Sequence, residues 1–260
     1  MVADLKKIAV SGKGGVGKTT LSALLAHVFV ERGREVIAID ADPAGGLAEA
    51  LGFPPELRAQ VTPVSELEDL IYERTGAQPG TFGGFFSLNP RVDDIPDRFS
   101  ISHNGIRFLR LGTIESGGSG CICPESAMLK ALVTHLLLYN QEMLVLDMEA
   151  GVEHLGRATA QAVDAFLVVV EPGRRSLATA AAVRTLAADI GIVRVYGVGN
   201  KVSSDAEWDF LQKESPVPLL GYLSTNPELL EADMYGRSVF ASAPRAAEEA
   251  RKIVDALEAL

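Results

Sequence analysis

Short apolar runs, most of them rich in Val and Ile, recur along this chain. Each is followed by a turn and then by a stretch in which apolar residues return every three or four positions. The first pattern marks strands buried on both faces, and the second marks helices that cover them. On this reading strands occupy residues 6–11, 36–39, 106–111, 142–146, 166–170, 193–198 and 218–222. Helices occupy residues 21–32, 65–75, 125–139, 176–190, 205–212, 228–233 and 243–260. The alternation predicts an α/β protein: a single doubly wound, mostly parallel sheet with helices on both faces. No internal repeat and no linker interrupts it, so residues 1–260 are expected to form one domain. The pattern loosens between Gly52 and Ser100. Residues 79–86 and 89–96 are expected as a long loop, of the kind that is usually functional or mobile. Within it Phe82, Phe85 and Phe86 either form a patch that docks a partner or fold back onto the sheet.

Composition narrows the function classes. The formal net charge of −10 argues against a protein that coats nucleic acid, where a clustered basic face is expected. The start of the chain carries no secretory apolar region, and no apolar run is long enough to span a bilayer. A soluble cytoplasmic protein is expected, with its two cysteines as reduced thiols.

The strongest chemical signal is Gly12-Lys13-Gly14-Gly15-Val16-Gly17-Lys18-Thr19-Thr20, placed between the first strand and the first helix. That is the context of a phosphate-binding P-loop. Glycines let the backbone turn and bring its N–H groups against phosphate oxygens, and the helix N-terminus adds partial positive charge. Lys18 can reach the β- and γ-phosphates, and the Thr19 hydroxyl can ligate Mg²⁺. The extra lysine, Lys13, gives the motif a form that resembles the deviant P-loop of the dimeric ATPases that include MinD, ParA, the arsenite-pump ATPase and the nitrogenase iron protein. The resemblance implies a homodimer in which Lys13 crosses to the partner's nucleotide, supplying charge in trans as an arginine finger does.

Acidic residues follow two of the strands. Asp40 and Asp42 end the second, at the carboxyl edge where α/β sheets bind ligands. Such a pair can hold the water shell of Mg²⁺ and orient an attacking water. An Asp-x-Asp before Pro43 is equally a helix N-cap, and Asp42 can do both. Likeness to the deviant-motif ATPases implies that Asp42 positions the hydrolytic water and that Asp40 supports the metal. Asp147 ends the strand at 142–146, where an Asp reaches Mg²⁺ directly or through water, and Gly151 lets the next segment swing toward a γ-phosphate. His154 reads either as a metal ligand or as a polar loop residue.

Asn200-Lys201-Val202-Ser203 resembles the guanine-reading motif of GTPases but has Ser203 where a carboxylate must accept from guanine. Adenine lacks those donors, so ATP fits better, and likeness to the ATPase group makes Asn200 the adenine contact. Cys121 and Cys123 are separated by one residue, so their thiols can chelate one cation without completing a four-coordinate site. Two chains meeting about a two-fold would bring four thiolates together, a set suited to Zn²⁺ or another thiophilic metal. The alternative is two small buried residues at a helix start.

Taken with Gly117-Gly118-Ser119 before the cysteines, Asp147-Met148 with Ala150-Gly151-x-Glu153-His154-Leu155, Val170-Glu171-Pro172 and Asn200-Lys201-Val202, the chain resembles the CooC-type nickel-insertion accessory ATPases of carbon monoxide dehydrogenase and acetyl-CoA synthase. Glu149 stands where that family is associated with glycine. The resemblance implies an ATP- and Mg²⁺-dependent dimer that binds Ni²⁺ or Zn²⁺ at the shared cysteines and couples hydrolysis to nickel delivery to a client enzyme, without nucleic acid or membrane. Two other classes compete: a spatial-switch ATPase of the MinD/ParA type, and an iron–sulfur redox ATPase. A helix at residues 246–260 with Glu248, Glu249, Asp255 and Glu258 against Arg251 and Lys252 is a poor membrane binder. The absence of a cysteine near Asp147 ranks the redox class lower.

Overall fold

In the computed structural model, residues 5–80, 85–112, 123–149 and 162–260 are described. Eight strands make one sheet: β1 (Lys7–Gly12), β2 (Val36–Ala41), β3 (Ile101–His103), β4 (Ile106–Arg110), β5 (Met143–Met148), β6 (Ala165–Val170), β7 (Val195–Val202) and β8 (Leu219–Ser224). Their order is β3-β4-β2-β5-β1-β6-β7-β8. All neighbours run parallel except β3, which pairs antiparallel with β4 at one edge. The expected doubly wound, mostly parallel sheet is therefore observed.

The central strands β1, β2, β5 and β6 are buried at every position. Because successive side chains leave opposite faces, each strand feeds two cores. Ile8 and Val10 of β1 join one core, with Leu21, Leu24, Leu25, Val28 and Phe29 of α1 (Lys18–Glu31). Ala9 of β1, with Ile37 and Ile39 of β2, joins the other, beneath Leu132, Val133 and Leu136 of α6 (Pro124–Tyr139). The first face also carries the last helix, α11 (Pro244–Glu258); the second also carries α4 (Glu68–Thr75) and α7 (Arg174–Ile190).

Several details differ from the sequence reading. The predicted helix at 65–75 is a 3₁₀ turn at Val64–Glu66 followed by α4. Residues 89–96 are not wholly loop, because α5 (Ile95–Phe99) starts inside them with Pro96 in its first turn. The short edge strand β3 was not foreseen; Asn104 and Gly105, both at positive φ, turn it into β4. Three short helices were also not foreseen: α2 (Leu47–Ala50), α3 (Pro55–Arg58) and α10 (Val239–Ser242). The helices between β7 and α10 are α8 (Asp205–Glu214) and α9 (Pro227–Met234). Phe85 is fully exposed rather than folded onto the sheet, and Phe86 is half-buried; Phe82 lies outside the described residues. Among the described residues no helix is long and apolar enough to cross a membrane.

Candidate functional site

The carboxyl ends of β1, β2 and β5 meet the N-terminus of α1. Between β1 and α1 the chain turns through residues 13–17, with the Val16 N–H donating to the Lys13 carbonyl at 3.2 Å. Gly12 lies so close to β6 that an added Cβ would stand 2.7 Å from the Val169 carbonyl oxygen. Gly17 caps α1 with φ 97° and no side-chain cap, so the first N–H groups of the helix are left open. Lys13, Gly14 and Gly15 are exposed, Val16 and Lys18 are buried, and Thr19 and Thr20 are half-buried.

Two side chains of α1 point back into the sheet. The Thr19 hydroxyl donates to Asp147 Oδ2 at 2.7 Å, and the Ser22 hydroxyl donates to Asp147 Oδ1 at 3.0 Å. Ser22 escaped the sequence reading, although its spacing of three from Thr19 puts both on one helix face. Asp147 is wholly buried, and burial pushes its carboxyl up to about 7 against the pull of the two hydroxyls. Asp40 is the register partner of Asp147 on the next strand. Burial raises Asp40 to about 6, while the N–H groups of Leu47 and Asp42 and the Arg110 guanidinium favour its anion. Two buried acids held near neutrality beside a hydroxyl are a donor set that fits a hard divalent cation, which would restore both to carboxylates.

Asp42 points the other way. Its Oδ2 lies 3.4 Å from Lys18 Nζ, and its Oδ1 accepts from the Ala44 N–H at 3.0 Å. Lys18 thus faces the Asp42 carboxylate.

β7 runs on to Val202, beyond the predicted end at 198, and this carries Asn200 and Lys201 to the P-loop. Asn200 Nδ2 donates to the Val16 carbonyl at 2.7 Å and lies against the Cα of Gly17. Lys201, at φ 55°, reaches the Gly15 carbonyl at 2.9 Å and Glu171 at 2.6 Å. The bracing roles of Lys201 and Glu171 were not foreseen, because they depend on which strands are neighbours. Ser203 makes a hydroxyl pair with Thr225 at 2.8 Å.

Cys123 is buried and caps α6: its sulfur accepts from the Ser126 N–H at 3.4 Å, with Pro124 at the first helical position. Cys121, Gly151, Glu153 and His154 lie outside the described residues. Among the described residues no group of three or more His, Cys, Asp or Glu side chains is placed to hold a metal ion.

A buried acid pair beneath an uncapped, glycine-rich helix start is an arrangement that can take phosphates and their cation. The chain belongs to the CobQ/CobB/MinD/ParA family of nucleotide-binding domains, whose model matches residues 7–239, and it is an ATPase of that family. It is 44% identical over 252 residues to the carbon monoxide dehydrogenase accessory protein CooC of Rhodospirillum rubrum, covering 96% of this chain and 95% of that protein. It is 42% identical over 250 residues to an uncharacterized ATP-binding protein of Methanocaldococcus jannaschii, covering 95% of each chain. Among solved structures it superimposes on a ParA family ATPase from Chlorobium tepidum TLS with a TM-score of 0.68 at 16% identity, covering 98% of this chain and 99% of that one. The septum site-determining protein MinD of Pyrococcus horikoshii OT3, solved with Mg-ADP, matches with a TM-score of 0.67 at 19% identity over 96% of this chain and 94% of that one. At such identities the solved structures share the fold alone, whereas the likeness to CooC extends through the sequence and favours a carbon monoxide dehydrogenase accessory ATPase over a spatial switch.

Proposed function

We propose that the chain is a metallochaperone ATPase that delivers nickel to carbon monoxide dehydrogenase or acetyl-CoA synthase. The observation that carries this reading is its 44% identity, over 96% of the chain, to a carbon monoxide dehydrogenase accessory protein, joined to a cysteine at the cap of a long helix. Phosphates of ATP would lie on the open N–H groups of α1 and on Lys18. Thr19, Asp40 and Asp147 would hold Mg²⁺, which neutralises charge on the phosphates. Asp42 would orient the water that attacks the γ-phosphorus, with ADP leaving on the opposite side. Asn200 would contact adenine while bracing the P-loop.

The metal is cargo. Cys121 and Cys123 of two copies would supply four sulfurs to Ni²⁺ or Zn²⁺ at a two-fold, and the partial positive end of α6 favours negative charge on the Cys123 sulfur. Lys13 is exposed, as a lysine that enters a partner's site must be. The dimer would form when nucleotide and metal are both present, in the cytoplasm and without membrane or nucleic acid.

The test is metal content and solution mass, with and without ATP and Ni²⁺, for the wild type and for the variant with both cysteines changed to Ala. About one metal per dimer, lost in the variant, is expected of one shared tetrahedral site. A dimer that holds no metal, or the same metal content in the variant, would exclude the cysteine site and leave the ATPase alone.

A further inference from the structure

Arg110 belongs to none of the motifs above, yet it ends β4 in register with Asp40. Asp40 is also the partner of Asp147, so the side chains of Asp147, Asp40 and Arg110 leave the same face of three adjacent strands. Two of these are the buried acids of the site; the third is a cation at the end of the row.

Arg110 lies over the turn that follows Asp42. The Gly45 N–H donates to the Asp42 carbonyl at 2.9 Å, closing the turn. Gly45 has φ 69°, and a Cβ added there would stand 2.8 Å from Arg110 Nη2 and 3.1 Å from its Cζ. The guanidinium therefore rests on the glycine backbone, and its buried Nε has no hydrogen-bond partner among the described residues. Beneath it the Leu111 N–H donates to the Asp40 carbonyl at 2.8 Å, so the Arg110 side chain and the backbone just past β4 both engage the Asp40–Gly45 segment.

We propose that Arg110 is a positioning residue for hydrolysis, holding the Asp42–Gly45 turn against β4 when nucleotide draws Lys18 away from Asp42. The Lys18–Asp42 contact is a second anchor of the turn. A γ-phosphate competes for that lysine, and Asp42 then needs another restraint to stay aimed at an attacking water. A planar guanidinium laid on a glycine turn supplies one, and its charge also favours the Asp40 anion.

The proposal rests on the role given to Asp42. Steady-state Mg-ATP hydrolysis, nucleotide affinity and melting temperature would be measured on the full chain for Arg110→Ala, Arg110→Lys, Gly45→Ala and Asp42→Asn. Arg110→Ala is expected to lower kcat by about tenfold or more, the scale of a misaligned reacting group, with KM and ADP affinity within about threefold. Arg110→Lys should recover part of the loss, and Gly45→Ala, which pushes the guanidinium aside, should lower kcat in the same direction. Unchanged kcat in Arg110→Ala overturns the proposal. So does a loss of kcat matched by equal losses of affinity and melting temperature and not recovered by lysine, which is the signature of a purely structural residue. Normal hydrolysis by Asp42→Asn would instead remove the reading of Asp42 on which the proposal stands.

Discussion

Helices α1 and α6 both begin close to groups expected to bind ligands, and their N-termini are built in opposite ways. α1 starts at Gly17, with no capping side chain and no acid in its first turn. α6 starts at Cys123, whose sulfur takes the Ser126 N–H, with Pro124 and Glu125 following. An α-helix has several N–H groups without internal partners at its start. At α1 no capping side chain takes them, so a phosphate can. At α6 the cap takes one and proline removes another, so no anion is needed; what this end offers is the cap itself, a sulfur. One end offers backbone donors and the other a side-chain sulfur.

Three sets of tests probe the contrast, from the largest effect to the smallest. Lys18→Ala should abolish ATP turnover, since Lys18 is the buried cation at the open end. Asp42→Asn should keep ATP binding and lose most turnover. Binding by equilibrium dialysis and phosphate release separate the two, and ordinary turnover in either variant would refute the role assigned to that residue.

The second concerns pH. Asp147 and Asp40 are raised by burial to about 7 and about 6, above the ordinary 3.8. A carboxyl whose folded value is raised contributes stability that is complete below its unfolded value and is lost as pH rises through the folded one. The nucleotide-free protein should therefore melt at lower temperature as pH goes from 5.5 to 8, by roughly 2–4 °C for each kcal/mol lost. Buried His27, lowered by desolvation, acts with the opposite sign below its ordinary 6.5. Asp147→Asn should flatten the fall without touching the His27 part. Mg²⁺ should bind more tightly as pH rises over the same window, because it displaces protons. Scanning calorimetry and Mg²⁺ titration measure both, and a melting temperature that rises to pH 8 would contradict the burial argument.

The third is Cys123→Ala. Loss of a cap costs about 1 kcal/mol at most helix starts, and a sulfur acceptor should lie at the low end of that range. A melting temperature within a few degrees of wild type, with ATP turnover intact, would place the importance of Cys123 in its ligand chemistry. Loss of turnover would instead join the two helix ends energetically.

Much of the candidate site was legible in the sequence because its determinants are local. Glycines that permit the turn, a lysine and a hydroxyl at set spacing, and an apolar strand before them are all contiguous in residues 8–20. The acids Asp40, Asp42 and Asp147 were legible because each ends a strong apolar run. Ser22, Lys201, Glu171 and Arg110 carry no such local mark. Their roles arise where separate strands come into register: Lys201 meets Gly15 across 186 residues, and Arg110 meets Asp40 only because β4 lies beside β2. The edge strand β3 and the short α5 were missed for a related reason, since elements this brief are made by their neighbours rather than by their own periodicity.

By itself, then, the sequence determined the layering, the glycine-rich turn before α1 and the acids at the strand ends. Periodicity and turn chemistry act over a few residues and survive in any context. The tertiary structure alone decided that Asp147 is paired with two hydroxyls and driven toward neutrality, that Asp42 rests on Lys18, and that Arg110 covers the turn that follows Asp42. Those facts depend on burial and on contacts between distant segments, and neither exists until the sheet has closed its order.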